Sequence, residues 1–210
     1  MESVYYAIAF LCALILTIAF VAAIAARRKS KKEEPQEIIG RIGEEKAKEM
    51  IQSVMHGDDY LFTNVKIEYD GRNAELDNVI VNKYGVFIIE VKNYSGYLVG
   101  DENDYEWKQY KATGTGNVYV KNVKNPIKQM KRQIYILSNK FKFYGINVWI
   151  RGYVMLMNLN NPIDSPYFLS CAADIDKAIH SKNRAMLSSE TVEAIINLPE
   201  IACKQVSKIR

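Results

Sequence analysis

Residues 79 to 92, VIVNKYGVFIIEVK, constrain the fold of this 210-residue chain more than any other stretch. Val86, Phe87, Ile88 and Ile89 form an unbroken apolar run, the pattern of a strand covered on both faces. A second apolar run, ending in Val79-Ile80-Val81, lies on the other side of Asn82-Lys83-Tyr84-Gly85, and the two together predict a β-hairpin. If Lys83 and Tyr84 form its loop, counting pairs Asn82 with Gly85, Val81 with Val86, and so on down to Asp77 opposite Glu90.

The same strand then carries Glu90 and Lys92 with only Val91 between them. Side chains alternate along a strand, so Val86, Ile88, Glu90 and Lys92 share one face, and Phe87, Ile89 and Val91 the other. In the counted register Asp77 stands on the face of Glu90, where directly opposed Cβ atoms lie about 4.5–5.5 Å apart. Two such carboxylates repel, and burial worsens the repulsion. Lys92 supplies one compensating charge. A divalent cation supplies two, and Mg²⁺ is commonly held by one or two carboxylates with water in its remaining positions. Such an ion polarises a phosphoryl oxygen and acidifies water, while a neighbouring Lys steadies developing negative charge, so the chemistry that fits is phosphodiester hydrolysis. A lone Glu-x-Lys on an exposed strand would be an ordinary ion pair. This strand is too apolar to be exposed, and Asp77 falls in register one hairpin away.

A second constraint lies at the N-terminus. Val4 to Ala26 is a run of 23 residues without a charge, which as a helix reaches about 34 Å and crosses a hydrocarbon core of about 30 Å. No basic segment precedes it, it is longer than the apolar part of a signal peptide, and RRKSKK follows directly, so it reads as a retained transmembrane helix. All 28 Lys and Arg follow Ala26, five of them at positions 27, 28, 29, 31 and 32. The positive-inside rule then places the N-terminus outside a cell membrane and everything from Arg27 onward in the cytoplasm. Residues 27 to 210 carry 28 basic and 23 acidic side chains, a formal +5 that is only weak support for a nucleic-acid partner. Cys12, Cys171 and Cys203 lack any CxxC or Cys/His spacing, which argues against a zinc site and a disulfide framework.

Along the rest of the chain, residues 27–36 read as a basic linker closed by Pro35. An amphipathic helix is expected from Ile38 or Gly43 to Met55, then strands in YLFTNVKIEY and AELDNVIVN around the turn DGRN. NYSGYL, YEWKQY and GNVYVKN suggest short strands or loops. A second helix over residues 125–145 places Ile127, Met130, Ile134, Leu137 and Phe141 on one stripe. A strand within 146–158, a short one near YFLS, and helices at Ala173–His180 and Ser188–Asn197 complete the order. The fold class is α/β, a mixed sheet flanked by helices.

GRIGEEKAKEMI, ELDNVIVNKYGVFIIEVKNYSG, the Trp of EWKQY and NPIKQ, in that order, resemble the NERD (nuclease-related) domain, a branch of the PD-(D/E)xK nuclease superfamily. The resemblance spans residues 37–158, leaving 159–210 as an extension packed on the same domain. It implies a restriction-endonuclease-like core, Mg²⁺ or Mn²⁺ as cofactor, and nucleic acid, DNA before RNA, as substrate. It implies Asp77 and Glu90 as metal ligands and Lys92 as the group orienting the nucleophilic water. It further implies Glu44, in GEE, as an acidic residue completing the metal site, and Gln129, in NPIKQ, as a polar residue of the following helix. Leu76 stands where the superfamily name has Pro, and Asn78 where NERD sequences often have His; neither change removes a ligand.

The leading expectation is a membrane-anchored Mg²⁺-dependent nuclease; the rival is a catalytically silent nuclease-fold module that binds nucleic acid or a protein at the membrane. A silent domain has no physical reason to keep a repulsive carboxylate pair. A membrane scaffold ranks last, since the span offers Thr17 as its polar residue and no Gly-xxx-Gly. Plainer readings compete at single positions. Glu44 also suits a helix's first turn, and Gln129, like Gln133 and Lys131, suits a solvated helix face. Trp107 and Trp149 read as packing residues, His56 and His180 as incidental, and Asp101, Glu102, Asp104 and Glu106 as a solvated acidic loop.

Overall fold

The structure is a computed structural model that describes residues 6, 13, 15–20, 35–159, 161, 163–182, 186–202 and 205–207. The chain divides into two units, residues 1–38 and 39–210. In the first, residues 15–20 are helical and exposed. Most of the expected span 4–26 and of the linker 27–36 lies outside the described residues. Among the described residues, no helix is long and apolar enough to cross a membrane.

The second unit is built on a mixed sheet. Helix α1 (Pro35–Val54) leads into strands β1 (Tyr60–Tyr69), β2 (Arg72–Asn82) and β3 (Gly85–Lys92). Strands β4 (Tyr97–Val99), β5 (Glu106–Ala112) and β6 (Val118–Lys124) follow, then α2 (Pro126–Phe143) and β7 (Ile150–Leu156). Helices α3 (Ala172–His180), α4 (Ser189–Ile196) and α5 (Pro199–Ala202) and strand β8 (Gln205–Ser207) end the described chain. The main sheet runs β7-β3-β2-β1-β8, with β7 parallel to β3 and every other pair antiparallel. Strands β4, β5 and β6 form a separate three-stranded antiparallel sheet. The short strand expected near YFLS is reduced to one bridge, Val154 to Phe168.

β3 lies inside the sheet and is buried from Gly85 to Val91, which accounts for its continuous apolar run. Val86 and Ile88 pack with Ile136, Leu137 and Phe141 of α2 and with Val192 and Ile195 of α4. Phe87, Ile89 and Val91 pack on the opposite side with Ala47 and Ile51 of α1 and Ile175 and Ile179 of α3. The β2–β3 hairpin keeps the counted register, Asn82 to Gly85 through Asn78 to Ile89. Asn82 fixes its turn by accepting a hydrogen bond from Tyr84 N at 2.8 Å. The β1–β2 turn uses Asp70 at φ 52° and Gly71 at φ 68°, the two positive angles of a type I′ hairpin turn, which Asp-Gly adopts readily.

β2 has one interruption, and it falls at Asp77. On the β3 side the ladder stops at Asn78–Ile89, so Asp77 and Glu90 are not paired. On the β1 side Thr63–Asn78 and Val65–Leu76 are paired, while the intervening Asn64 has φ 53° and does not pair. The left-handed residue shifts the alternation by one. Phe62, Val65 and Ile67 of β1 all reach the same core cluster, as do Leu76, Val79 and Val81 of β2. Asn tolerates this backbone conformation better than branched residues do. Replacing Asn64 with Val is therefore expected to cost about 1–2 kcal/mol, and with Gly close to nothing; urea denaturation of the two variants checks this.

Candidate active site

The interruption frees Asp77 from the ladder at the point where β3 turns polar. Asp77 Oδ2 accepts a hydrogen bond from Val91 N at 2.7 Å, so a side chain takes the place that a β2 carbonyl would fill. Glu90, in the last turn-free stretch of β3, is fully buried. One of its oxygens, Oε2, accepts from Gln133 Nε2, and the other, Oε1, forms an ion pair with Lys92. That contact lacks the direction of a hydrogen bond, and Oε1 accepts none. Gln133, itself buried on α2, also donates Nε2 to Glu75 O at 2.9 Å, while its own Oε1 has no hydrogen bond.

Charge is therefore out of balance. Burial pushes the Asp77 carboxyl up to about 7, helped by the Glu90 carboxylate and, more weakly, by Glu44; the Val91 N–H and Lys92 pull the other way. Burial works against the Lys92 charge, but the carboxylates of Glu90 and Asp77 outweigh it and hold the amine above its usual range. Tyr94 is raised as well, first by burial and then by Glu90, against the pull of Lys92. One ammonium thus serves two buried acids.

Of the residues expected from sequence, Asp77, Glu90 and Lys92 lie near one another, but Asp77 does not stand opposite Glu90 as a ladder pair. Glu44 is half-buried on α1 and near enough to add to the negative field on Asp77. α1 reaches this end of the sheet because Gly43 has no side chain: a Cβ there would stand 2.6 Å from Asn93 Cβ. Asn93 Nδ2 in turn donates to Ile39 O at 2.5 Å. Gln129 is half-buried one turn before Gln133, and the side chain bound to Glu90 is Gln133. The expectation of a solvated Gln133 fails. The signal for it was available, since position 133 adjoins the apolar stripe of α2 at Met130, Ile134 and Leu137. Trp107 is buried, as a packing residue should be, whereas Trp149 is 67% exposed.

A match to the nuclease-related domain, NERD, covers residues 39–157, more than half of the chain. The chain belongs to the NERD family. An uncharacterized protein of Bacillus anthracis is 29% identical over 98 residues, which make up 46% of each of the two chains. The chain thus spans about half the length of that curated relative. No solved structure matches.

The acidic and Lys residues of the NERD domain suit a hard divalent cation. Asp77 and Glu90 offer oxygen ligands, the donor chemistry of Mg²⁺ and Mn²⁺, and Glu90 Oε1, ion-paired with Lys92 but accepting no hydrogen bond, keeps a lone pair for a cation. Asp77, Glu90 and Glu44 are not gathered as one tight trio, however. Among the described residues, the three side chains whose ligand atoms all lie within 4.8 Å of one another are His56, Asp59 and His180.

That histidine cluster is not incidental, contrary to expectation. The two rings stack at 3.9 Å with an interplanar angle of 6°. His180 Nε2 meets the buried Asp59 carboxylate at 2.8 Å and Nδ1 meets Asp176 at 2.6 Å. Asp59 also accepts from His56 N at 2.7 Å. An imidazole holds a metal in the plane of its ring, and two parallel stacked rings share no plane, so this arrangement serves as a hydrogen-bonded clamp between the α1–β1 corner and the end of α3.

The Asp77 environment sets a pH dependence. The metal-free folded chain keeps the Asp77 proton up to about pH 7, whereas the unfolded chain releases it near the ordinary value of 3.8. Between these values the native state binds more protons, so stability falls as pH rises. Metal-free unfolding is expected to show this decline from about pH 4 to pH 7, and Asp77→Asn is expected to flatten it, as chemical denaturation in EDTA across that range would read.

Proposed function

We propose that the NERD domain is a Mg²⁺- or Mn²⁺-dependent nuclease that hydrolyses phosphodiester bonds in DNA. The observation carrying this reading is Glu90, a carboxylate buried in the central strand beside Asp77, with Lys92 as the shared counter-charge. A stable fold gains nothing from that arrangement, because burying like charges costs more than replacing them with apolar residues. A site for a cation and a polyanionic substrate gains both a ligand set and a fixed positive group.

In this reading Asp77 and Glu90 hold the metal, with Glu44 at the margin. A divalent ion there supplies positive charge to the phosphoryl oxygens and lowers the pKa of coordinated water. Gln133 holds Glu90 in one orientation through Oε2 and is itself anchored to Glu75 O, so Glu90 Oε1 stays directed at Lys92. Lys92, 22% exposed at its side chain, orients the attacking water and stabilises the charge that builds on the phosphate. In the metal-free chain the Asp77 carboxyl is pushed to about 7, so a cation bound there competes with its proton and binding strengthens as pH rises toward that value. Gln129 stands one turn from Gln133, on the same helix, as a candidate contact to substrate.

The uncharged run of residues 4–26 and the basic cluster behind it support a single-pass anchor in the cell membrane with the domain in the cytoplasm. Resistance of the full chain to alkaline extraction from membranes is the matching observation, and its release would remove the anchor from this account.

The deciding assay incubates the purified full chain with supercoiled plasmid, single-stranded DNA and RNA, in Mg²⁺, Mn²⁺ or EDTA. Cleavage in either metal and none in EDTA is expected, with Asp77→Asn and Lys92→Ala each reducing it by about 10²-fold or more. A folded wild-type chain that leaves every substrate intact would turn the reading to the silent binding module.

A further inference from the structure

The β1–β2 hairpin and α2 meet in a seam that holds two arginines. Arg132 Nη1 donates to Asn73 O at 2.9 Å, and the Arg72 guanidinium lies 5.4 Å from the centre of the Tyr135 ring, on the next turn of the helix. Both arginines are exposed, and among the described residues neither pairs with a carboxylate. α2 carries Lys128, Lys131, Arg132, Lys140 and Lys142 and no acid; of these, Lys131 and Lys140 are neutralised by Glu102 and Glu200. The contacts that hold the two arginines leave their charge unspent. The Asn73 carbonyl occupies one N–H of Arg132, and the tyrosine ring takes no N–H from Arg72.

The seam lies on the face of the sheet that carries Glu90. Ala74 and Leu76 pack into the core beneath α2, and alternation along β2 puts Arg72 on the same face. Val86 and Ile88 pack there too, and Glu90 follows them in the alternation of β3 to reach Gln133. Glu68 and Glu75 take the other positions of their strands, where Glu75 stands opposite Lys66 and Glu68 opposite Asn73, so both acids point away from the seam.

Adjacent hydrogen bonds tie the seam to the proposed cleavage site. Arg132 and Gln133 are neighbours on α2 and bind Asn73 O and Glu75 O of β2, and Gln133 also binds Glu90. From Asn73 to Asp77 the chain spans at most about 14 Å. On a strand that rises about 3.4 Å per nucleotide, the seam falls within about four nucleotides of the cleaved bond.

We propose that Arg72 and Arg132 bind backbone phosphates of the DNA beside the bond to be cut, a proposal that rests on the nuclease reading and names where its substrate is gripped. A guanidinium matches a phosphate through paired N–H donors, and two that are already held in place lose little freedom on binding.

The test follows fluorescence anisotropy of a short labelled DNA duplex with the detergent-solubilised full chain, in EDTA to prevent cutting, across a KCl series. Arg72→Gln and Arg132→Gln are each expected to flatten the slope of log K against log salt by about 0.9, and the double variant by about 1.8. Arg132→Lys retains the charge and is expected to retain the slope, which a purely structural hydrogen bond to Asn73 would not explain. Lys142→Gln, an equal loss of charge at the far end of α2, is expected to leave the slope as it is. Wild-type slopes in both Arg→Gln variants would overturn the proposal. So would an equal flattening by Lys142→Gln, or a change seen only with an RNA duplex or only with phosphatidylserine vesicles. Plasmid cleavage by the wild type in Mg²⁺ reads the catalytic proposal separately. Flattened slopes in a chain that cuts nothing uphold the arginine seam and sink the nuclease, and cutting with unchanged slopes does the reverse.

Discussion

The carboxylate of Glu90 sits in the most thoroughly buried strand of the sheet, and the surrounding structure is arranged around its cost. Lys92 meets one oxygen, Gln133 meets the other, and α2 has to bring a polar residue into an otherwise apolar face to do so. Asp77 adds a second acid without adding a second base. It can stand there because Asn64 breaks the ladder on one side and the β2–β3 pairing ends on the other, leaving the Val91 N–H as its partner. The irregular backbone at Asn64 and the charge imbalance at Asp77 face each other across the β1–β2 pair, and strain of this kind collects in sites that serve a ligand.

Much of this is legible in the sequence, for identifiable reasons. The central hairpin follows from a period of two and a two-residue loop, so counting fixes its register down to Asn78 and Ile89. The count stops being valid one pair early. Whether Asp77 faces Glu90 across a ladder or reaches over to a backbone N–H depends on Asn64, a residue of another strand in a conformation that no periodicity announces. The burial of Gln133 is half-legible: its position beside the apolar stripe of α2 allows it, and the placement of Glu90 makes a buried glutamine favourable there.

His56 and His180 are a clearer limit. They are far apart in sequence and flank helix ends, and nothing local couples them; the packing of α3 against the α1–β1 corner brings their rings together over Asp59. The second sheet is partly legible. NYSGYL, YEWKQY and GNVYVKN have the composition of strands, yet their separation from the main sheet follows from where Trp107 and Leu98 find a core beside α2.

The central claim is that Asp77 and Glu90 form a cation site held in check by Lys92. Calorimetric titration of the full chain with Mn²⁺ at pH 8, beside Asp77→Asn, Glu90→Gln and His180→Ala, tests it most directly. The account predicts one ion bound per wild-type chain, binding lost in the Asp77 and Glu90 variants, and binding kept in the His180 variant. Mn²⁺ binding that survives loss of Asp77 and disappears with His180 would contradict it.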